Sequence, residues 1–138
     1  MIGISSKVDY ALITIVELAA AKNGKFLSLS EIAKKRHMSA NYLAQLMLAL
    51  KKKGLIESKE GKAGGHRLAK SLDKIFLVDV MSAFEGGIAL SPCLHRSGRC
   101  KTQAVCTVKH VWRKVQNDFV DYASHKTLSE LLLQKFLI

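Results

Sequence analysis

The sequence is poor in acidic residues and has no long apolar run. Its 138 residues include 11 Asp and Glu against 22 Lys and Arg, which gives a formal net charge of +11. No apolar stretch approaches the roughly 18 residues that a membrane-spanning helix requires. The apolar N-terminal segment is interrupted by Asp9 and Glu17 and lacks the cleavage site of a signal peptide. These absences argue against a membrane-spanning or secreted chain, and we expect a soluble cytoplasmic protein.

Cysteine and proline are also scarce. The three cysteines are Cys93, Cys100 and Cys106, whereas the disulfide framework of a small secreted protein uses an even number. In a reducing compartment their thiolates stay available to bind metal. The one proline, Pro92, precedes the first of them.

Positive charge is abundant instead. Twice as many basic as acidic residues in a chain the length of one domain predict a polyanionic partner. DNA and a membrane surface are both negatively charged partners, so the choice between them depends on the predicted secondary structure.

The N-terminal half has the pattern of a helix-turn-helix. Apolar residues at helical spacing predict a helix over 7–21, which we expect Asn23-Gly24 to end. Ser28 and Glu31 form a predicted capping box for a second helix that reaches Arg36. Ser39 is an N-cap candidate for a third helix, which runs through Lys53 and is closed by Gly54. Two capped helices joined by a short turn are typical of a DNA-binding motif.

A predicted β-hairpin follows, in the position of a wing. Residues 55–58 and 66–69 form its strands, and Gly61, Gly64 and Gly65 lie between them. Residues 75–77 could add a short strand, followed by a helix over 78–84.

The predicted helix-turn-helix and wing indicate which residues would contact DNA. Amides near the start of a recognition helix can bond base edges, lysines suit phosphates, and glycines allow close approach of the backbone. Tyr42 fits a phosphate contact and a core position equally well. The predicted DNA-binding residues are Ser39, Asn41, Tyr42, Gln45, Lys51, Lys52, Lys59, Lys62, Gly64, Gly65, His66 and Arg67.

The C-terminal half is predicted to contain a loop and a long helix. Residues 88–103 show no strong periodicity, whereas a broad apolar stripe predicts a helix from Ala104. Antiparallel packing on a second copy would cover that stripe. Thr127 and Glu130 form a further capping box, which opens the last helix. We thus expect a mainly α protein with a β-hairpin wing, divided into the winged helix-turn-helix at 1–87, the cysteine-bearing loop at 88–106 and the dimerisation and last helices at 104–138.

The cysteines are spaced Cys93-x6-Cys100-x5-Cys106. This spacing matches neither a zinc finger nor a ferredoxin. Three thiolates in one loop could converge on an iron–sulfur cluster, or could act as a cluster-free thiol switch. Cys106 and His110, if both lie on one helix face, could also serve a thiol enzyme, although no third group or substrate pocket is indicated. We therefore expect no enzyme and no catalytic residue.

Several motifs together resemble the Rrf2 family of winged-helix repressors. The matching segments are Ser5–Leu12, Asn41–Leu46, Gly64–Ala69, the three cysteines and Thr127–Leu131. The resemblance implies a homodimer that controls transcription at a palindromic operator. The cysteine trio is similar to the iron–sulfur branch, the IscR-like and NsrR-like regulators. Membership would make Cys93, Cys100 and Cys106 ligands of a [4Fe-4S] or [2Fe-2S] cluster that senses nitric oxide, redox state or iron supply.

The resemblance leaves the fourth ligand open. Asp9 matches the position from which NsrR-like members supply a ligand across the dimer, but it also suits the first turn of a helix. The IscR-like ligand position holds Lys109 here, with His110 one residue later. His95 is a further substitute. Ala44 and Glu60 stand where IscR-like members have a glutamate and an arginine that meet DNA, so we expect a different operator.

Overall fold

The computed structural model describes residues 4–84, 87–95 and 100–133. Within these ranges the chain forms six α-helices and one two-stranded antiparallel sheet. The elements are α1 (Ser6–Ala19), α2 (Leu29–Arg36), α3 (Ala40–Lys52), β1 (Ile56–Lys59), β2 (Gly65–Leu68), α4 (Leu77–Ser82), α5 (Val108–His125) and α6 (Leu128–Leu133). No helix in this part of the chain is long and apolar enough to cross a membrane.

The capping residues begin the helices as the sequence predicts. Ser28 Oγ accepts a hydrogen bond from the Glu31 backbone N–H at 3.2 Å, and the Glu31 carboxylate accepts one from the Ser28 N–H at 2.8 Å. Ser39 caps α3 through its own side-chain oxygen. Thr127 and Glu130 repeat the reciprocal arrangement before α6. These bonds satisfy donors that a helix N-terminus otherwise leaves without a partner.

The core is built mainly by α1, α2 and α3, and β1, α4 and α6 each add a buried apolar side chain. Leu43, Leu46 and Leu50 of α3 are at most 2% exposed, and their spacing of three and four residues places them on one helix face. They belong to one apolar cluster with Ile15 of α1 and Ile32 of α2. The opposite face of α3 is thereby left at the surface.

The predicted wing is a β-hairpin. Ile56 pairs with Leu68 and Ser58 with His66, in antiparallel register. The backbone of Leu27, just before α2, exchanges two hydrogen bonds with His66, of 2.9 Å and 2.7 Å. The hairpin is therefore fastened along one edge to the segment that leads into the helix-turn-helix.

The predicted end of the first helix and the predicted start of the long C-terminal helix are wrong. α1 ends at Ala19, because Ala21 is already extended, and Asn23 and Gly24 form a separate left-handed turn. α5 begins at Val108 and not at Ala104. Val105 is 83% exposed, so an earlier helical turn would bury little apolar surface to stabilise it.

The predicted strand at 75–77 does not form. Phe76 makes only an isolated bridge with Thr127, flanked by hydrogen bonds from Leu77 N–H to the Lys126 carbonyl and from Leu128 N–H to the Ile75 carbonyl. The following helix spans Leu77–Ser82, shorter than the predicted 78–84 at its C-terminus. The start of α6 is thus tied back to the segment between wing and α4. The predicted continuation of the last helix over 134–138 lies outside the described residues.

Candidate nucleic-acid interface and cysteine-bearing loop

The exposed face of α3 carries the predicted base contacts. Asn41, Gln45 and Lys52 are exposed and follow one another at spacings of four and seven residues, so they lie in one stripe. Ser39 caps the N-terminus of α3, and Lys51 and Lys52 are exposed in its last turn. The helix therefore presents amides near its start and cations at its end.

Tyr42 divides its surface between core and solvent. Its ring meets Tyr10 of α1 edge to face, with 5.7 Å between the ring centroids. It also packs against the apolar core cluster and is partly exposed. The ring is thus held by packing, which fits the core interpretation and leaves a phosphate contact to the hydroxyl as a proposal.

The wing glycines allow close packing inside the protein. A Cβ on Gly65 would lie 2.2 Å from the Leu27 carbonyl oxygen, and one on Gly64 would lie 2.1 Å from that of Lys59. Gly65 also has a φ of +138°. The sequence suggested that these glycines let the backbone approach DNA, and the structure shows that they let it approach other parts of the protein. Lys59 and Lys62 are exposed on the hairpin.

His66 is directed toward the interior side of the hairpin. Its Nδ1 lies 2.8 Å from the Ser58 hydroxyl oxygen. Burial, and to a lesser extent the charge of Lys51, lowers the pKa of His66, so the ring is neutral at pH 7. It therefore adds a polar group, and no positive charge, to the wing.

Arg67 is occupied by groups of its own chain. Its Nε donates to the Glu57 carboxylate, and its guanidinium carbon lies 4.4 Å from the centroid of the Phe26 ring. Nη1 is 3.5 Å from the Gly24 carbonyl oxygen. The sequence interpretation missed Glu57 and Phe26, although the hairpin register that pairs Glu57 with Arg67 could have indicated the first.

The cysteine-bearing loop is anchored to α5. Cys93 is buried in a short 3₁₀ turn, and the Gln103 side-chain amide donates to its carbonyl oxygen at 3.0 Å. The Leu90 N–H donates to the Gln116 side chain of α5, also at 3.0 Å. Residues 96–99, between the first and second cysteines, lie outside the described residues.

The other two thiols are more open. Cys100 and Cys106 are partly exposed, and hydrogen bonding by the side chain and backbone of Thr102 lowers the pKa of Cys100. Three thiols within one loop have the donor chemistry that an iron–sulfur cluster requires. In the described ranges, however, no three His, Cys, Asp or Glu side chains are gathered closely enough to hold a metal ion.

The candidate fourth ligands lie on different elements. Asp9 is exposed in the first turn of α1, His110 is exposed in the first turn of α5, and His95 is exposed in the loop. Cys106 precedes α5, so the helix face that it was predicted to share with His110 does not exist. That finding removes the spacing argument for a thiol enzyme.

An apolar stripe runs along the outside of α5. Its members, Val108, Val111, Val115 and Tyr122, are 45–57% exposed. Val115 also lines an apolar groove, together with Val8 of α1, Phe84 after α4, and other side chains. A stripe of this kind at helical spacing favours packing against another chain.

Comparison with known proteins gives consistent matches over nearly the whole chain. A family profile described as "Rrf2: Iron-dependent Transcriptional regulator" matches residues 4–134. IscR of Pectobacterium carotovorum is 30% identical over 132 residues, which cover 96% of this chain and 80% of the relative. The structure of T. potens IscR has a TM-score of 0.73 at 27% identity, covering 96% of this chain and 88% of that one. CymR, the global cysteine regulator of B. subtilis, has a TM-score of 0.72 at 28% identity, covering 95% and 96%.

Proposed function

This chain belongs to the Rrf2 family of transcriptional regulators, and on that premise we propose that it is a repressor whose DNA affinity is controlled at the cysteine-bearing loop. One observation carries the DNA-binding part. The face of α3 opposite its buried leucines presents Asn41, Gln45 and Lys52 in a single exposed stripe. A stripe of amides that ends in cations can meet base edges and phosphates together.

The proposed operator is a palindrome. Two copies would place their α3 helices in successive major grooves, about one helical turn or a multiple of it apart. In each copy Asn41 and Gln45 would contact bases, and Lys51, Lys52, Lys59 and Lys62 would contact phosphates. Ser39, Tyr42 and the wing at Gly64 and Gly65 complete the proposed interface, whereas the backbone N–H and carbonyl of the predicted contact His66 are already bonded to Leu27.

The proposed homodimer is formed through α5. Antiparallel packing of the exposed stripe on its own copy would bury four apolar side chains in each chain. The loop is bonded to α5 through Gln116, so a change in the loop reaches the helix that sets the distance between the two α3 helices.

The proposed control group is an iron–sulfur cluster held by Cys93, Cys100 and Cys106. Such a group, when bound, would supply iron-based redox chemistry and reactivity toward nitric oxide. Relatives named IscR and the iron-dependent description of the family support this proposal. Asp9 of the second copy is the first candidate for the fourth ligand, and His110 is the second.

A cluster-free thiol switch is the alternative. The lowered pKa of Cys100 favours it, since a larger thiolate fraction makes a cysteine easier to oxidise. The likeness to CymR is compatible with it as well. Both forms of control use the same DNA-binding surface.

Anaerobic purification separates the two forms of control. We expect iron and sulfide in the protein, a visible absorbance that nitric oxide bleaches, and an altered Kd for an operator selected by the chain. The protein could instead lack iron and sulfide even after anaerobic reconstitution, while its DNA affinity changes on thiol oxidation. That result would contradict the proposed cluster and support the cluster-free thiol switch. A chain that selects no sequence from random duplex DNA would contradict the proposed function itself.

Single variants then test the ligands. We expect Cys93→Ser, Cys100→Ser and Cys106→Ser each to abolish the absorbance. Asp9→Ala should shorten the lifetime of the bound cluster in air, and His110→Ala serves as its matched control. If Asp9→Ala is indistinguishable from the parent and His110→Ala is not, the fourth ligand is His110.

A further inference from the structure

Arg67 lies on the outer face of the wing. Side chains alternate between the two faces of a strand, and Ile56 and Leu68 direct theirs into the apolar core. Their neighbours Glu57 and Arg67 therefore point to the other face, where they are paired across the hairpin. About two fifths of the Arg67 side chain is exposed, at 43%.

Three different groups hold the guanidinium. Glu57 accepts the Nε–H bond, the Gly24 carbonyl oxygen lies 3.5 Å from Nη1, and the guanidinium carbon lies over the Phe26 ring at 4.4 Å from its centroid. Lysine has one ammonium group and cannot reach a carboxylate, a carbonyl oxygen and an aromatic ring through separate atoms of a planar fork.

These contacts connect two parts of the DNA-binding region. Glu57 belongs to the wing, whereas Gly24 and Phe26 belong to the segment that leads into α2. The same segment is joined to the wing by backbone hydrogen bonds between Leu27 and His66. The side-chain contacts of Arg67 therefore add to these backbone hydrogen bonds.

We propose that Arg67 is a positioning residue, which fixes the wing relative to α2 and α3 and does not itself contact DNA. This role rests on the proposed function. A wing and a recognition helix bind one duplex together only if both are held at the right separation. A phosphate that approached Arg67 would also meet the carboxylate of Glu57, whose negative charge opposes the approach of DNA.

The two roles predict opposite effects for Glu57→Gln. If Arg67 contacts phosphate, removal of the neighbouring negative charge strengthens DNA binding. If Arg67 positions the wing, removal of its charged partner weakens binding although the protein becomes more positive. Arg67→Lys separates them again, because lysine keeps the charge for a phosphate but cannot form the fork.

The experiment measures Kd by fluorescence anisotropy for an operator duplex that the full-length wild-type chain has selected from a random pool. We expect Arg67→Lys and Glu57→Gln each to raise Kd by roughly threefold or more, and the double variant to raise it by less than their product. The slope of log Kd against log salt should stay unchanged for Arg67→Lys. Lys62→Gln is the matched control, and its slope should fall by about 0.9 for each phosphate that the side chain no longer neutralises.

Circular dichroism checks that each variant is folded. If an Arg67 variant does not fold, Phe26→Leu is measured in its place. A wild-type Kd for Arg67→Lys, or a lower Kd for Glu57→Gln, overturns the positioning role while the proposed function stands. A wild-type chain that selects no DNA sequence overturns both.

Discussion

Arg36 binds the buried carboxylate of Glu17. The distance from Nη2 to Oε2 is 2.6 Å, that from Nε to Oε2 is 2.8 Å, and Glu17 is only 5% exposed. Glu17 lies in α1 and Arg36 is the last residue of α2, just before the left-handed His37 that begins the turn to α3. The ion pair therefore fixes the point from which α3 departs.

Glu17→Gln should lower the free energy of unfolding at pH 7 by about 1–3 kcal/mol, because it removes charge-assisted hydrogen bonds to Lys35 and Arg36. Those bonds, that of Lys35 foremost, hold the pKa of Glu17 below its ordinary value of 4.5 despite burial. Since the folded pKa is the lower one, the stabilisation is complete above about 4.5 and is lost as the pH falls through the folded pKa. Urea unfolding at a series of pH values measures the free energy of unfolding.

The difference between parent and Glu17→Gln should accordingly shrink in acid. Glu60→Gln, at an exposed position on the hairpin, is the control and should change stability by less than about 0.5 kcal/mol. A difference between parent and Glu17→Gln that stays constant from pH 7 to pH 3 would contradict the assigned ion pair.

Gly65→Ala should separate the wing from the segment before α2. The new Cβ would lie 2.2 Å from the Leu27 carbonyl oxygen, so the backbone must shift. Gly61→Ala is the matched control, because Gly61 also has a positive φ of 102° but no atom within 4 Å of its Cβ position. We expect about 1–3 kcal/mol of destabilisation from backbone strain at Gly61 and about 2 kcal/mol more at Gly65. Equal destabilisation by the two variants would show that the close contact with Leu27 does not matter.

Asn41→Ala and Gln45→Ala should relax the choice of base at single operator positions, and each should weaken binding at the preferred base by about 1–3 kcal/mol. Lys52→Gln should instead weaken binding to all sequences alike and reduce the salt dependence. Binding to a library of single-base operator variants measures both effects. Lys74→Gln, in the turn that packs against α6, is the control and should leave specificity unchanged. Uniform weakening by Asn41→Ala would reassign Asn41 to the DNA backbone.

Val111→Lys should convert the proposed dimer to a monomer, because it places a charge in the exposed apolar stripe of α5. The control is Asn117→Lys. Asn117 follows Val115 by two residues, which at about 100° per residue places it on the other side of the helix. Light scattering after size-exclusion chromatography gives the mass of each variant. A Val111→Lys chain that stays dimeric would place the interface elsewhere.

Local sequence signals predicted structure correctly where one residue type has one physical use. Ser28 with Glu31, Ser39, and Thr127 with Glu130 predicted three helix starts, because a short polar side chain can bond the free N–H groups there. The boundaries of α1 and α5 were missed, since the apolar pattern continues past Ala19 and begins before Val108. Tertiary packing decides how much of such a pattern becomes helix.

In the candidate site, too, local sequence pattern predicts some features and tertiary packing decides others. The exposed stripe of Asn41 and Gln45 follows from the helical period, once the leucines of α3 are recognised as buried. The partners Gly24 and Phe26 of Arg67 do not, because they lie about 40 residues away along the chain. The predicted pairing of Cys106 with His110 failed for the related reason that it assumed a helix where none forms.

The amino-acid sequence alone predicts a basic, winged helix-turn-helix protein with three thiols in one loop. Capping residues and the helical period act within a few residues of chain, and net charge follows from composition without any fold. The folded chain was needed to show that a buried carboxylate on α1 holds the end of α2, and that Arg67 faces Glu57 and Phe26. Those contacts join separate segments, and their geometry depends on how the helices pack around the common core.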